Sequence, residues 1–473
     1  MLYLFFRLSA AFMKYRRLAV RWTVLLLAIV GLSSTPPQPS APGPKPNIVF
    51  IIADDLGWGD LSCYGATDLK TPHIDSLMRA GLRFTSFYAN SPVCSPSRAS
   101  LLSGRWPERM GVPGVIRDDS TDSWGYLATG PLLPDYLQKA GYHTALVGKW
   151  HLGLESPNTP NEHGFQEFDG FLGDMMDDYY TKLRNKHNFM RHNRQVINPP
   201  GHATDVFTDG AIRYVNSRRG RSKPFFLYLP YTAPHNPLQP PAEWLERVQK
   251  REPGIDPTRA KLVALIEHMD ANIGRLLATL KANGQLQNTL IVFTSDNGGW
   301  GPGRANNGPV RAFKGTMYEG GIRIPAGVAW AGHIQPGRTS DERLQLIDWL
   351  PTFLELTGRK ATAPLDGRSM LPLLTSKQPD GLTLETIRQR PLFFIRREGT
   401  DAFKGLTTQA VRQGDWKLLQ PNPFSPYELY NLKDDPKETT DLASREKAKA
   451  AELTRLLMDH IRRSGSVPWQ KSH

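Results

Sequence analysis

Two acidic clusters stand at the ends of apolar runs. Asp54-Asp55-Leu56-Gly57 follows Pro46–Ala53, and Ser295-Asp296-Asn297-Gly298-Gly299 follows Leu290–Thr294. Three carboxylates and one amide are hard oxygen donors, a set that suits Ca²⁺ or Mg²⁺ rather than zinc. Either cluster alone would pass for a turn, since Asx-Gly pairs favour turns, but two of them at strand ends favour a shared metal. The segment Pro92-Val93-Cys94-Ser95-Pro96-Ser97-Arg98 places a thiol just ahead of a helix-compatible stretch, residues 97–103. Helix N-terminal N–H groups favour an anion there, and Arg98 adds a planar cationic fork. A thiol phosphatase loop would need Arg at position 100, which is Ser. Lys149 and His151 lie two apart near a strand end, His235 stands in Ala233-Pro234-His235-Asn236-Pro237, and Lys314 follows Phe313. Each alone is more often a surface or satisfied core residue. Together they would surround an anion with positive charge and proton donors.

The elements that must position these residues are legible from hydrophobic pattern. Pro46–Ala53, Leu290–Thr294, Phe225–Leu229 and Thr144–Val147 are continuous β-branched or aromatic runs, the pattern of strands buried on both faces. Leu262, Leu265, Ile266, Met269, Ile273, Leu276, Leu277 and Leu280 mark an amphipathic helix over 258–282. Strands alternating with helices predict an α/β fold, with a large, mostly parallel or mixed central sheet sandwiched by helices. Beyond about residue 380, short strands are expected at 390–396, 409–419 and 427–432, and a last helix at 443–463. This reads as a smaller C-terminal α+β domain, so the domain expectation is 47–379 and 380–473. The irregular, polar segment 173–194 has the character of a functional loop.

Composition bounds the class. The chain has 473 residues, 41 Gly, 39 Pro and 40% hydrophobic content, which suits a loop-rich globular enzyme. Residues 1–33 read as a secretory signal: Lys14, Arg16, Arg17 and Arg21 precede the short apolar run 23–30 and small residues follow. Met13 is an alternative start, and starting there gives a more ordinary signal. Residues 34–46 form a Pro/Ser-rich linker. A periplasmic or secreted protein without a stable membrane anchor is expected, because the apolar run falls short of a bilayer span. Removing the five basic residues of 1–33 from a net charge of +13 leaves +8, which fits a polyanionic substrate or simply a mildly basic surface. No nucleic-acid motif is present. Of the two cysteines, Cys63 and Cys94, only Cys94 has neighbours suited to chemistry.

These segments resemble the formylglycine-dependent sulfatases of the alkaline phosphatase superfamily. Cys94-Ser95-Pro96-Ser97-Arg98 is similar to the family's Cys-x-Pro-x-Arg modification signature, and Gly141–Gly153 to its second signature. Asp54–Asp60, Asp296–Gly298, Glu319–Gly321 and the tail Glu428–Glu438 follow the family's order. The resemblance implies an alkaline phosphatase-like fold. It implies that a formylglycine-generating enzyme oxidises Cys94 to a formylglycine (3-oxoalanine) whose hydrate is the nucleophile. It further implies one Ca²⁺ held by Asp54, Asp55, Asp296, Asn297 and the modified residue 94. Arg98 and Lys149 would hold the formylglycine and the developing charge, His151 would accept a proton, and His235 and Lys314 would contact the sulfate and protonate the leaving alcohol. Cys63 is then a bystander.

The expected activity is hydrolysis of sulfate esters, on a small molecule or a sulfated polysaccharide of galactose or N-acetylgalactosamine type. Lys182, Arg184, Lys186, Arg191 and Arg194 are candidate contacts to a sulfated chain, and Trp300–Phe313 another wall. Two rival readings are a phosphodiester or phosphonate monoester hydrolase using the same site, and a catalytically silent glycan-binding protein.

Overall fold

A computed structural model describes residues 45–117, 127, 130–376, 381–398, 405–465 and 467. The signal over 1–33 and the linker as far as residue 44 lie outside the described residues.

The apolar runs are strands: the first begins one residue later than its pattern, at Asn47, and the other three extend slightly beyond theirs. In chain order the main sheet holds β1 (Asn47–Ala53), β2 (Leu82–Tyr88), β3 (His143–Lys149), β4 (Glu167–Phe171), β5 (Met190–His192), β6 (Gln195–Val196), β7 (Phe225–Pro230), β8 (Thr289–Ser295), β9 (Arg323–Ala329), β10 (Arg338–Ser340) and β11 (Leu344–Gln345). Their spatial order is β10-β2-β9-β8-β1-β7-β3-β4-β5-β6, with β11 also pairing β2. The centre is parallel: β8, β1, β7, β3 and β4 run the same way, whereas β9 is antiparallel to both β8 and β2. The sheet is therefore mixed.

Strand β1 shows why helices cover both faces. Ile48, Phe50 and Ile52 enter one hydrophobic core with Leu101, Leu102 and Trp349, while Val49, Ile51 and Ala53 enter another with Leu265, Ile266 and Met269. Successive side chains point to opposite faces of a strand, so a run apolar at every position needs two cores. The first face carries α1 (Cys94–Ser103), and the second carries α2 (Ala203–Ser217) and α3 (Pro257–Ala282).

Four further strands, β12 (Leu392–Arg397), β13 (Thr407–Gln413), β14 (Trp416–Gln420) and β15 (Glu428–Asn431), make an antiparallel sheet in that order, covered by α4 (Lys447–Ser464). The strand expected over 409–419 is two strands. Gly414 adopts φ 60° and turns the chain between them, a conformation that costs glycine little. The segment 173–194 is more ordered than its composition suggested: Leu183–Arg184 and His187–Asn188 pair as a small hairpin, and β5 joins the main sheet. Among the described residues no helix is long and apolar enough to cross a membrane.

Candidate active site

The two acidic clusters converge because β1 and β8 are parallel neighbours in register, Ala53 opposite Ser295. Asp54 and Asp55 therefore leave the sheet beside Asp296 and Asn297, at its carboxyl edge, where ligands bind in open α/β sheets. The Asp55 N–H donates to Asp296 Oδ1 at 3.2 Å and the Leu56 N–H to Ser295 Oγ at 3.1 Å, locking one loop to the other. Asp55 sits at φ 66° and His151 at φ 61°, sparsely populated backbone of the kind that clusters at functional sites.

Cys94 is the first residue of α1 rather than the residue ahead of it, and Val93 at the N-cap gives no side-chain cap. Its Sγ donates toward Asp54 Oδ1 at 3.4 Å and lies 4.0 Å from Asp55 Oδ1. Burial, and then the charge of Asp54, raises the thiol well above its ordinary range.

Arg98 grips Asp296 through Nη2 at 2.7 Å and Nε at 3.0 Å, and its Nη1 donates to the Lys149 carbonyl at 3.2 Å. Lys149 Nζ meets Asp54 Oδ2 at 2.6 Å. Burial raises the Asp54 carboxyl, but Lys149, His235, Arg98 and Lys314 together outweigh that and hold it well below the usual range. Asp296, in contrast, is pushed up to about 7 by burial and by the neighbouring Asp54 charge. Crowded carboxylates of this kind are relieved by a bound cation.

On the opposite side, Lys314 Nζ donates to Asp55 Oδ2 at 2.7 Å and lies 3.1 Å from His235 Nε2. His235 Nδ1 faces the Asn236 carbonyl at 2.8 Å, so that nitrogen carries the proton and Nε2 is left to accept from Lys314. Burial and the Lys314 charge lower the His235 pKa, consistent with a neutral ring. His151 Nε2 likewise faces a carbonyl, that of Ile116, at 2.7 Å, and its buried Nδ1 has no hydrogen-bond partner among the described residues. Burial, Lys149 and Arg98 lower its pKa well below the ordinary value. A neutral imidazole with an unpaired ring nitrogen is chemically able to accept a proton.

Two observations bear on a metal. Asp54, Asp55, Cys94 and His235 can bring one ligand atom each within 4.8 Å of one another. Asn297 donates to Asp55 Oδ1 at 2.8 Å, yet its buried carbonyl Oδ1 has no partner among the described residues. An orphaned hard oxygen among carboxylates fits a hard cation.

The structure thus brings Asp54, Asp55, Cys94, Arg98, Lys149, His151, His235, Lys314, Asp296 and Asn297 into one buried cluster. It does not bring the loop cations there as free charges. Lys182 is buried and donates to the carbonyls of Tyr180 and Gly201, Arg184 pairs with Asp174 at 3.0 Å and Asp177 at 2.9 Å, and Arg191 donates to the Asn188 and Met190 carbonyls. Most of that charge holds the loop itself together. Pattern missed the Ile116 carbonyl, which fixes the His151 tautomer, because a backbone acceptor has no residue signature. It also missed Tyr179, whose hydroxyl sits 2.8 Å from the carbonyls of both Thr232 and His235. A second cluster, His202, Asp205 and His268, is mostly hydrogen-bonded: His268 Nε2 meets Asp205 at 2.9 Å, and His202 accepts from the Thr204 N–H and faces the Gln239 carbonyl, while the buried His268 Nδ1 has no hydrogen-bond partner among the described residues. It braces α2 against α3.

Comparison with known proteins decides the class. The family model described as Sulfatase matches residues 46–359. This chain belongs to the sulfatase family. It is a sulfuric ester hydrolase. The model described as N-sulphoglucosamine sulphohydrolase, C-terminal, matches residues 312–464. N-acetylgalactosamine-6-sulfatase of Mus musculus is 33% identical, covering 84% of this chain and 75% of that protein. Arylsulfatase A of Bos taurus is 32% identical, covering 89% and 86%. Among solved structures, Ps i-CgsB in complex with k-i-k-neocarrahexaose superposes with a TM-score of 0.80 at 30% identity, covering 90% of this sulfatase and 95% of that chain.

Proposed function

We propose that this sulfatase hydrolyses sulfate esters of a glycan built on galactose or N-acetylgalactosamine, with a formylglycine made from Cys94 and one bound Ca²⁺. The observation that carries the mechanism is the convergence of Cys94 with Asp54, Asp55, Asp296 and the orphaned Asn297 Oδ1. The sugar class is supported by the N-acetylgalactosamine-6-sulfatase relatives and by the neocarrahexaose complex.

Asp54, Asp55, Asp296, Asn297 and the modified residue 94 would hold the Ca²⁺, which when bound neutralises sulfate charge and orients the oxygen at position 94. Oxidised and hydrated, residue 94 supplies the attacking oxygen. Arg98 and Lys149 hold that residue and balance the charge that develops beside it. His151 accepts a proton at Nδ1, the ring nitrogen without a hydrogen-bond partner among the described residues. Lys314 Nζ and His235 Nε2 share a proton and deliver it to the leaving oxygen. Cys94 is only 3% exposed, so the formylglycine-generating enzyme must meet it before the chain closes. Export through the segment at 1–33 places that maturation ahead of a periplasmic or secreted destination.

The test is Cys94→Ser. A serine can be sulfated once but cannot shed the group by collapse to an aldehyde, so sustained sulfate release should stop after at most one turnover per chain. Undiminished steady-state turnover by that variant would overturn the mechanism.

A further inference from the structure

The C-terminal sheet ends against the loops that carry the site. Ser91 Oγ donates to the Ile395 carbonyl at 3.2 Å, three residues before Cys94. The Arg397 N–H donates to the Pro113 carbonyl at 2.9 Å, and a Cβ at Gly114 would lie 2.0 Å from the Arg397 oxygen. Only glycine lets the two backbones come that close.

Two charged side chains complete this contact. Arg396 and Glu398 are 8% and 2% exposed and pair through Nε and Oε1 at 2.8 Å. Arg396 Nη1 donates to the carbonyl of Gly315, the residue after Lys314, at 2.9 Å, and the Gly315 N–H donates to the Pro92 carbonyl at 2.9 Å. The other Glu398 oxygen accepts from Arg117 Nη1 at 2.9 Å. Arg117 adjoins Ile116, whose N–H is tied to Ser95 Oγ at 3.0 Å and whose carbonyl holds His151 Nε2 at 2.7 Å. One buried ion pair thus touches the loop of Lys314 on one side and the loop that orients His151 on the other.

A buried pair is costly to desolvate and is a weak source of net stability, so its worth here is geometric. We propose that Arg396 and Glu398 are positioning residues of the sulfatase reaction, through which the C-terminal sheet sets Lys314 and His151 at their reacting distances. This rests on the roles given to Lys314 and His151 above. Displacement of a reacting group by about 1 Å can cost on the order of 100-fold in rate.

The experiment compares kcat and KM for sulfate release from an aryl sulfate, and Tm, in the Ca²⁺-loaded, formylglycine-bearing enzyme and in Arg396→Met, Arg396→Lys and Glu398→Gln. Lys417→Met serves as the control, since Lys417 is a buried cation of the same sheet that bonds Glu319 and Glu438, and none of its hydrogen bonds among the described residues goes to Gly315 or to residues 116 and 117. Arg396→Met and Glu398→Gln should lose about 10- to 100-fold in kcat with KM changed less than about threefold. Arg396→Lys should recover part of the loss, because it can still reach one of the two oxygens. Lys417→Met should lower Tm and leave kcat near the parent value well below its melting range. Parent-like kcat in both Arg396→Met and Glu398→Gln overturns the positioning role while leaving the site assignment standing. A parent enzyme that releases no sulfate overturns both.

Discussion

At the scale of single residues, the site separates two imidazoles by the carbonyl each one faces. His151 spends Nε2 on Ile116 and keeps Nδ1 bare, whereas His235 spends Nδ1 on Asn236 and turns Nε2 toward Lys314. In the proposed mechanism the same side chain thereby serves as a proton acceptor in one place and as part of a proton-donating pair in the other. Leaving-group protonation matters most when the departing alcohol is a poor leaving group. Lys314→Ala should therefore lower kcat/KM for a sulfated sugar by about 10²- to 10⁴-fold, and for 4-nitrophenyl sulfate by much less. Equal losses on both substrates would assign Lys314 to sulfate binding alone. The residue types were all visible in the sequence. Which nitrogen of each ring is free was not, because that depends on a carbonyl 35 residues away for His151.

At the scale of elements, the C-terminal sheet is clamped to the main sheet by buried charge. Glu319, just ahead of β9, meets Lys417 of β14 at 3.0 Å and Tyr88 of β2 at 2.7 Å, with Arg412 of β13 at 3.4 Å. Lys417 also meets Glu438 at 2.8 Å. Burial raises the Glu319 carboxyl, but Lys417, Arg412 and Arg323, with the Tyr88 hydrogen bond, outweigh it and bring the pKa to about 2. A carboxylate depressed in the folded state adds stability that is complete above its ordinary pKa of about 4.5 and is lost as pH falls toward about 2. Glu438, raised by burial and by Glu319, acts with the opposite sign. Glu319→Gln should flatten the acid limb of stability between about pH 4.5 and 2, measured by denaturant unfolding at stepped pH. An acid limb as steep as the parent's would mean that other carboxylates set it. The sequence showed Glu319 and Glu438 inside recognisable segments but not their shared partner, Lys417, because a buried cation in a short strand looks like any polar strand position.

At the scale of the whole molecule, the reaction centre is a near balance of fixed charge. Asp54, Asp55 and Asp296 face Arg98, Lys149 and Lys314 at salt-bridge distance. A divalent cation and an anionic sulfate ester can enter that centre as partners, each compensating the other. Ca²⁺ that binds only the folded chain should raise its stability by about 2.7 kcal/mol at 100 times its Kd. Melting curves across a Ca²⁺ series, with and without chelator, would show this, and Asp296→Asn should blunt the response. A Tm indifferent to Ca²⁺ and to chelator would remove the metal from the account.

By itself the sequence determined what is local. Continuous apolar runs specified the buried strands, and residue chemistry placed oxygen donors at two strand ends and a thiol at a helix start. The spacing of Cys94 to Arg98 and of Lys149 to His151 carried the family. Tertiary structure decided the rest. The parallel pairing of β1 with β8 joined carboxylates some 240 residues apart. In the segment 173–194, Lys182, Arg184 and Arg191 bond nearby acids and carbonyls, so part of the charge that looked available to a polyanion holds the chain together, while Lys186 and Arg194 stay exposed. The C-terminal sheet, read from sequence as an appendage, reaches the site through Arg396 and Glu398. Period and composition report which surfaces a segment must bury. Which distant partner satisfies a charge is settled only when strand register and loop packing bring the two together.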